Sequence, residues 1–158
     1  RVAAVIRPRL DGLHQDAGSR EVLALRGTAR CIGCLDCDAR FPAGPLVEQF
    51  LADGQLPACP ECGRLRMKHA TVSFGQTLPE DVVARSVEYA EGCDLFLALG
   101  SSLVVYPAAQ LPQLAARSGA RLVIINDEPT PLDPLAELVL PAKLGPTLTA
   151  VNELIRSA

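Results

Sequence analysis

The sequence predicts an α/β fold: a parallel, doubly wound sheet with a small cysteine-rich insert. Three observations carry this prediction. Short apolar runs alternate with segments of helical spacing, several of these runs end in small polar residues, and two Cys-x-x-Cys pairs interrupt the alternation. The chain has 158 residues, a length that suits one domain of ordinary size or one domain carrying a small insert.

Four continuous apolar runs are typical of buried parallel strands, at residues 2–6, 94–99, 121–125 and 138–140. Helical spacing predicts helices over residues 46–51, 79–89, 108–117 and 147–156. Residues 71–76 alternate apolar and polar side chains, which predicts an exposed or edge strand. We expect a turn at residues 26–28 and loops at residues 10–19 and 41–45.

Composition excludes some function classes. The net charge is −3 and aromatic residues make up 4% of the chain, which argues against a nucleic-acid binder, because such proteins need a basic face and stacking rings. We find no apolar run of about 18 residues that would predict a membrane span, and no signal peptide. Six cysteines in paired spacing favour metal binding in a reducing compartment, so we expect a cytoplasmic protein. The chain begins at Arg1 without a methionine, which suggests a fragment.

The two Cys-x-x-Cys pairs, Cys34 with Cys37 and Cys59 with Cys62, predict a structural Zn²⁺ site. Each pair supplies two thiolates to one ion, and four sulfur ligands leave no open position for a substrate. The insert is otherwise poor in hydrophobic residues, so a metal would replace the core that it lacks. Buried thiols or disulfides are the alternative. Cys31 and Cys34 also have the spacing of a pair, so spacing alone leaves the ligand register open.

Polar residues follow three of the predicted strands, where ligands bind in open α/β sheets. They are Asp11, the run Gly100-Ser101-Ser102 and the run Asn126-Asp127-Glu128. Each run alone is also ordinary turn chemistry. Together they indicate a nucleotide along one edge of the sheet, although a Gly-x-Gly-x-x-Gly phosphate loop is absent from the sequence.

Several motifs occur in an order that resembles the sirtuins, which are NAD-dependent protein deacylases. Residues 10–15 read Leu-Asp-Gly-Leu-His-Gln and are similar to the family's Ile-Asp-Gly-Leu-His loop. Residues 100–107 read Gly-Ser-Ser-Leu-Val-Val-Tyr-Pro and are similar to its Gly-Thr-Ser-Leu-x-Val-x-Pro signature. Residues 72–76 resemble its Val-x-Phe-Gly-Glu substrate segment, with Gln76 in place of the usual glutamate.

The resemblance implies a Rossmann-type NAD-binding domain from residues 1–27 and 71–158, with a zinc module at residues 28–70. It selects Cys34, Cys37, Cys59 and Cys62 as the zinc ligands, rather than Cys31. It implies that an acylated lysine of a peptide or protein contacts the substrate segment Val72, Ser73, Phe74, Gly75 and Gln76. It places NAD or ADP-ribose at Arg9, Leu10, Asp11, Gly100, Ser101, Ser102, Asn126, Asp127, Glu128 and Leu144.

In the reaction that the resemblance implies, the acyl oxygen attacks the nicotinamide ribose and nicotinamide leaves. A histidine is the base, and the products are free lysine and an O-acyl-ADP-ribose. Here Arg26 stands at the histidine position and Arg9 at the position of a ribose-positioning asparagine. Arginine stays protonated and cannot accept a proton. The family's Gly-Ala-Gly phosphate loop is not among the motifs present. We therefore expect a weak or inactive deacylase, or alternatively a zinc pseudoenzyme that binds NAD, ADP-ribose or an acyl-peptide without turnover.

Overall fold

The computed structural model describes residues 2–157, and this part of the chain forms two compact units that meet in sequence between Val83 and Ala84. Each unit has its own sheets, and each is described separately below. The domain boundaries expected from the sequence, at residues 28 and 70, stay a prediction.

The first unit contains two small sheets. Its elements are β1 (Val5–Arg7), α1 (Leu13–Asp16), β2 (Val22–Ala24), β3 (Gly27–Cys34), β4 (Arg40–Pro42), α2 (Ala43–Asp53) and β5 (Met67–Thr71). Strands β1 and β2 pair in parallel, and β4, β3 and β5 form an antiparallel sheet with β3 in the middle. The parallel pair buries Leu23, and Leu25 just beyond it is also buried.

The antiparallel sheet has a hydrophobic core of its own. Ile32 of β3 packs with Ala43 and Leu46 of α2, and all three are buried. Phe41, Val47 and Met67 cover the edge of this cluster. The expectation that the insert cannot build a core is therefore wrong: the core exists, but three small or medium side chains give it little apolar area to bury.

The second unit contains a parallel sheet of the predicted kind. The helix α3 (Glu80–Gly92) crosses the boundary between the units, and β6 (Leu95–Leu99), α4 (Gln110–Arg117), β7 (Arg121–Asn126), β8 (Leu138–Pro141) and α5 (Leu144–Ser157) follow. The strand order is β6-β7-β8, with every pair parallel. Leu122 and Ile124 of the central strand are 1% and 0% exposed and pack with Ala98, Leu103 and Leu132. The α/β class with parallel, Rossmann-type sheets is confirmed.

Several local predictions are wrong. The edge strand expected at residues 71–76 lies earlier, because β5 ends at Thr71 and a turn follows at residues 74–75. Gly27 and Thr28 belong to β3 rather than to a turn. The loop expected at residues 41–45 contains the end of β4 and the start of α2. The first strand begins at Val5, three residues later than its apolar run. These shifts have one cause: pairing with a neighbouring strand decides where a strand begins and ends.

No helix in residues 2–157 is both long and apolar enough to cross a bilayer.

Candidate functional site

The four predicted metal ligands converge in the first unit. The Sγ atoms of Cys34, Cys37, Cys59 and Cys62 all lie within 4.8 Å of one another. Two cross-pair distances are 3.6 Å, from Cys34 to Cys62, and 3.7 Å, from Cys37 to Cys59. Neighbouring sulfurs around a tetrahedral Zn²⁺, with Zn–S bonds of about 2.3 Å, are about 3.8 Å apart. Donor chemistry and spacing therefore fit a structural zinc ion held by these four residues.

The pKa values of the cysteine thiols indicate why the cluster needs a bound cation. The backbone N–H of Asp36 donates to Cys34 Sγ at 3.4 Å and is the main cause that lowers the pKa of Cys34 to about 7. The backbone N–H of Ala39 likewise lowers the pKa of Cys37. Burial and the neighbouring thiols outweigh this effect and raise the pKa of Cys37 to about 12. One thiolate forms readily, whereas further negative charge needs a bound metal.

Asp36 lies between the ligands of the first pair and ties this pair to the second. Its side chain is 7% exposed, and Oδ1 accepts a hydrogen bond from Arg66 at 2.9 Å and an ion-pair contact from Arg64 at 3.5 Å. Both arginines follow Cys62 in the chain. The carboxylate therefore links the two cysteine turns and fixes their relative position, which supporting groups do at many metal sites.

Arg26, at the position expected for the base, contacts residues of the segment 72–76 that the sequence predicts to bind substrate. Its Nε and Nη2 donate to the carbonyl oxygen of Val72 at 3.1 and 3.0 Å. Its guanidinium carbon lies 4.2 Å from the centre of the Phe74 ring, a cation–π distance, and Phe74 is 81% exposed. The backbone N–H of Val72 donates back to the Arg26 carbonyl at 2.9 Å. Arg26 therefore holds the segment in place and offers no lone pair to a reacting group.

The rest of the substrate segment is fixed by Gln76. Its Oε1 accepts hydrogen bonds from the Ser73 backbone N–H at 2.8 Å and from Lys68 Nζ at 3.3 Å. A glutamate would place a carboxylate at this point, so the glutamine keeps the acceptor and removes the charge. Gly75 has a φ of 82°, which lets the chain turn here.

The loop after β1 carries the other expected residues of this unit. Asp11 Oδ1 accepts from the Leu13 backbone N–H, and Oδ2 accepts from Arg9 Nε, both at 3.0 Å. These two donors, the Leu13 N–H first, hold the pKa of Asp11 below its ordinary value. Both oxygens of Asp11 therefore accept hydrogen bonds from groups of its own loop. Leu10 beside it is half-buried.

Arg7, the last residue of β1, was not predicted as a site residue, yet its side chain is unusual. It is 3% exposed, and two of its guanidinium nitrogens have no partner in the described residues. In the sequence, the one signal for Arg7 is a charged residue at the end of an apolar run. Only the structure shows that its side chain is buried.

In the second unit, the ends of neighbouring strands bring three expected cofactor residues together. Leu99 pairs with Ile125, and the Gly100 N–H donates to the Ile125 carbonyl at 2.9 Å, so Gly100 adjoins Asn126. Gly100 has a φ of 57°, and a Cβ there would lie 2.5 Å from Leu144 Cδ1. The positive φ favours glycine, and the Leu144 side chain would have to move to admit a Cβ. Gly100, Asn126 and Leu144 therefore line one end of the sheet.

The remaining expected residues of the second unit lie in the same two loops. Ser101 Oγ accepts from the Leu103 N–H at 3.3 Å, while Ser102 is exposed. Asn126 Nδ2 donates to the Glu128 carbonyl at 2.7 Å, which leaves the carboxylates of Asp127 and Glu128 exposed. Exposed hydroxyls and carboxylates beyond strand ends suit the hydroxyl groups of a ribose.

Fold and site together define an α/β protein of Rossmann type that carries a four-cysteine metal centre. The model of the Sir2 family matches residues 1–107 of the chain. The chain therefore belongs to the Sir2 family, and the resemblance inferred from its motifs is confirmed.

Curated relatives agree with this assignment. The chain is 42% identical to NAD-dependent protein deacylase 2 of Archaeoglobus fulgidus over 155 residues, which cover 98% of this chain and 61% of the relative. It is 45% identical to an NAD-dependent protein deacetylase of Rhodopseudomonas palustris over 150 residues, or 94% of this chain and 59% of the relative. The chain thus spans about three fifths of the length of these relatives.

Solved structures also resemble the chain along nearly its whole length. A Sir2 complex described as "Sir2-p53 peptide-NAD+" matches with a TM-score of 0.91 at 34% identity, covering 99% of this chain and 65% of that one. The structure of Sir2Af2 bound to a myristoylated histone peptide matches with a TM-score of 0.83 at 42% identity, covering 99% and 67%.

Proposed function

We propose that this chain serves NAD-dependent protein-lysine deacylation, and that Arg26 makes the chain weak or inactive as it stands. The order of the family motifs along the sequence, together with the four converging cysteines, carries the proposal. Both curated relatives named above are described as NAD-dependent protein deacylases or deacetylases. A cytoplasmic location is part of the proposal, because none of the six cysteines forms a disulfide.

The proposed roles are those that the family resemblance implies for these residues. Bound NAD would supply the electrophilic ribose carbon that accepts the acyl oxygen. Gly100, Ser101, Ser102, Asn126, Asp127, Glu128 and Leu144 would contact the cofactor in the second unit, and Arg9, Leu10 and Asp11 in the first. The segment Val72–Gln76 would bind the acyl-lysine peptide along its backbone, and Phe74, exposed at its turn, would cover the acyl chain.

The missing base is the feature that limits turnover. A general base contributes typically 10²–10⁴-fold to a rate, and a guanidinium cannot replace one. Arg26 contacts Val72 and Phe74 and so holds the substrate segment of the chain in place. It supplies no proton acceptor. This favours a second candidate, a pseudoenzyme that binds NAD, ADP-ribose or an acylated peptide and does not convert them.

The two candidates separate in one experiment. The zinc-loaded chain, alone and joined to the part of the Archaeoglobus relative that the match leaves uncovered, is assayed for nicotinamide release from NAD with an acetyl-lysine peptide. We expect little release with Arg26, and an increase of about 10²-fold or more when Arg26→His is combined with Arg9→Asn in the joined protein. Arg40→His is the control, because Arg40 is an exposed residue of β4.

Binding is measured in parallel by calorimetry with NAD, ADP-ribose and the peptide. Binding without turnover by the unchanged protein, joined or not, would support the pseudoenzyme. Robust turnover by the unchanged chain would contradict the role assigned to Arg26. Failure of the double variant to gain activity, despite binding both substrates, would remove the deacylase proposal.

A further inference from the structure

The buried guanidinium of Arg7 has an unsatisfied edge. The side chain is 3% exposed, and Nη1 donates to the carbonyl oxygen of Arg9. Nε and Nη2 are buried and have no hydrogen-bond partner among residues 2–157. An arginine keeps its charge at every physiological pH, so burial without a counter-charge is strongly unfavourable. This edge of the guanidinium therefore suits a charged group that supplies hydrogen-bond acceptors to both nitrogens.

The two unpaired nitrogens define what that group is. Nε–H and one N–H of Nη2 point in parallel from the same side of the planar guanidinium. One carbonyl oxygen can accept from both groups, as Val72 does for Arg26, but it brings no counter-charge. Two oxygens of a phosphate or carboxylate match the fork and also neutralise the charge. The missing partner is therefore an oxyanion that binds with two of its oxygens.

Asp11, the carboxylate of the adjoining loop, does not take this role in the structure. Its two oxygens accept hydrogen bonds from the Leu13 N–H and from Arg9 Nε. Arg7 is near enough to help lower the pKa of Asp11, although the two side chains form no hydrogen bond. Two arginines face one carboxylate in this loop, so the local charge remains positive.

We propose that Arg7 and Arg9 form a phosphate-binding site at the carboxyl end of β1, with the Nε and Nη2 edge of Arg7 as its base. Arg9 is 83% exposed and uses Nε for Asp11, so its terminal nitrogens are available at the surface for further phosphate oxygens. Pro8 between the two arginines restricts the backbone and keeps them at a fixed separation. A phosphate has more oxygens than a carboxylate, so it can give two oxygens to Arg7 and a further one to Arg9.

The site shares Arg9 with the residues proposed to contact NAD, but inorganic phosphate can bind there whether or not the chain is a deacylase. The phosphate has two possible sources, the free ion and the phosphate of a nucleotide such as ADP-ribose. The test therefore titrates the zinc-loaded, ¹⁵N-labelled chain with sodium phosphate and with ADP-ribose, and with sodium chloride at matched ionic strength as the blank. The readouts are the Arg7 Nε–H resonance and the thermal unfolding midpoint.

We expect phosphate to shift the Arg7 Nε–H resonance saturably and to raise the unfolding midpoint, with chloride producing neither effect. Arg7→Met has no Nε–H, so its readout is the unfolding midpoint, which phosphate should no longer raise. On the same readout Arg7→Lys should weaken binding about tenfold, because lysine keeps the charge but loses the fork. Arg40→Met removes one exposed charge of the same unit and should bind phosphate as the unchanged chain does.

Two results would overturn the site. One is an Arg7 Nε–H resonance that shifts with neither phosphate nor ADP-ribose. The other is an equal rise of the unfolding midpoint with phosphate in the Arg7→Met and Arg40→Met variants. If Arg7→Met does not fold, the titration of the unchanged chain decides. If ADP-ribose saturates the site at a lower concentration than phosphate does, the site binds the phosphate of a nucleotide. If ADP-ribose binds equally or more weakly than phosphate, the site binds the free ion. Both outcomes support the site. Phosphate binding without ADP-ribose binding would count against the proposed function only.

Discussion

Gly27, which follows Arg26 at the start of β3, shows how one residue fixes the geometry of the candidate site. Its φ is 71°, and a Cβ would overlap the carbonyl oxygen of Ala70 on the neighbouring strand. Because this obstacle is backbone, it cannot move aside as a side chain would. We expect Gly27→Ala to lower the free energy of unfolding by about 1–3 kcal/mol, measured by urea denaturation of the zinc-loaded chain.

Gly33 is the matched control, since it lies in the same strand and a Cβ there would meet no atom within 4 Å. Gly33→Ala should change the free energy of unfolding by less than about 1 kcal/mol. Equal losses for the two variants would mean that β3 resists any side chain at a glycine, and the argument from Ala70 would fail.

At the scale of elements, β3 contains Cys31 and Cys34, and spacing alone allows Cys34 to pair with either Cys31 or Cys37 at the metal site. The structure gathers Cys34 with Cys37, Cys59 and Cys62 and leaves Cys31 out of the cluster. We expect Cys37→Ser to weaken zinc retention more than about tenfold, because an uncharged hydroxyl replaces a thiolate ligand. Cys31→Ser should retain zinc like the unchanged chain. Metal content after dialysis against a competing chelator measures both.

The reverse outcome, with zinc lost from Cys31→Ser and kept by Cys37→Ser, would move the site to the other register. The sequence alone had left this choice open, because both spacings are allowed. Resemblance to the sirtuins selected Cys34, Cys37, Cys59 and Cys62, and the distances between their sulfurs agree.

The same elements show where sequence reasoning succeeded and failed. Strands β6 and β7 were located within one residue, because a continuous apolar run bounded by polar residues has few other interpretations. Strand β3 was missed, since its sequence Gly-Thr-Ala-Arg-Cys-Ile-Gly-Cys has neither an apolar run nor strict alternation. It is a strand because β4 and β5 pair with it on both sides. Such pairing depends on residues far along the chain.

For the candidate site, too, the sequence predicted some features and only the structure showed the others. Motif order predicts that Arg26 replaces a base, and only the fold shows that Val72 and Phe74 hold its guanidinium. The unsatisfied edge of Arg7 had no signature beyond a charged residue at a strand end. Residue types can be read from a sequence, whereas the hydrogen bonds that they find or lack depend on the packing around them.

At the scale of the whole molecule, two separate cores predict two separate responses to metal removal. The antiparallel sheet of the first unit is held by a small cluster at Ile32, Ala43 and Leu46 and by the four-cysteine centre. The core of the second unit, around Leu122 and Ile124, contains no cysteine of this centre. Chelation should therefore remove hydrogen-exchange protection from β3 and β5 while β7 stays protected, measured by mass spectrometry on chelated and zinc-loaded chain. Simultaneous loss in both would show that the metal holds the fold as one cooperative unit, and unchanged protection of β3 would show that zinc is not what stabilises this sheet.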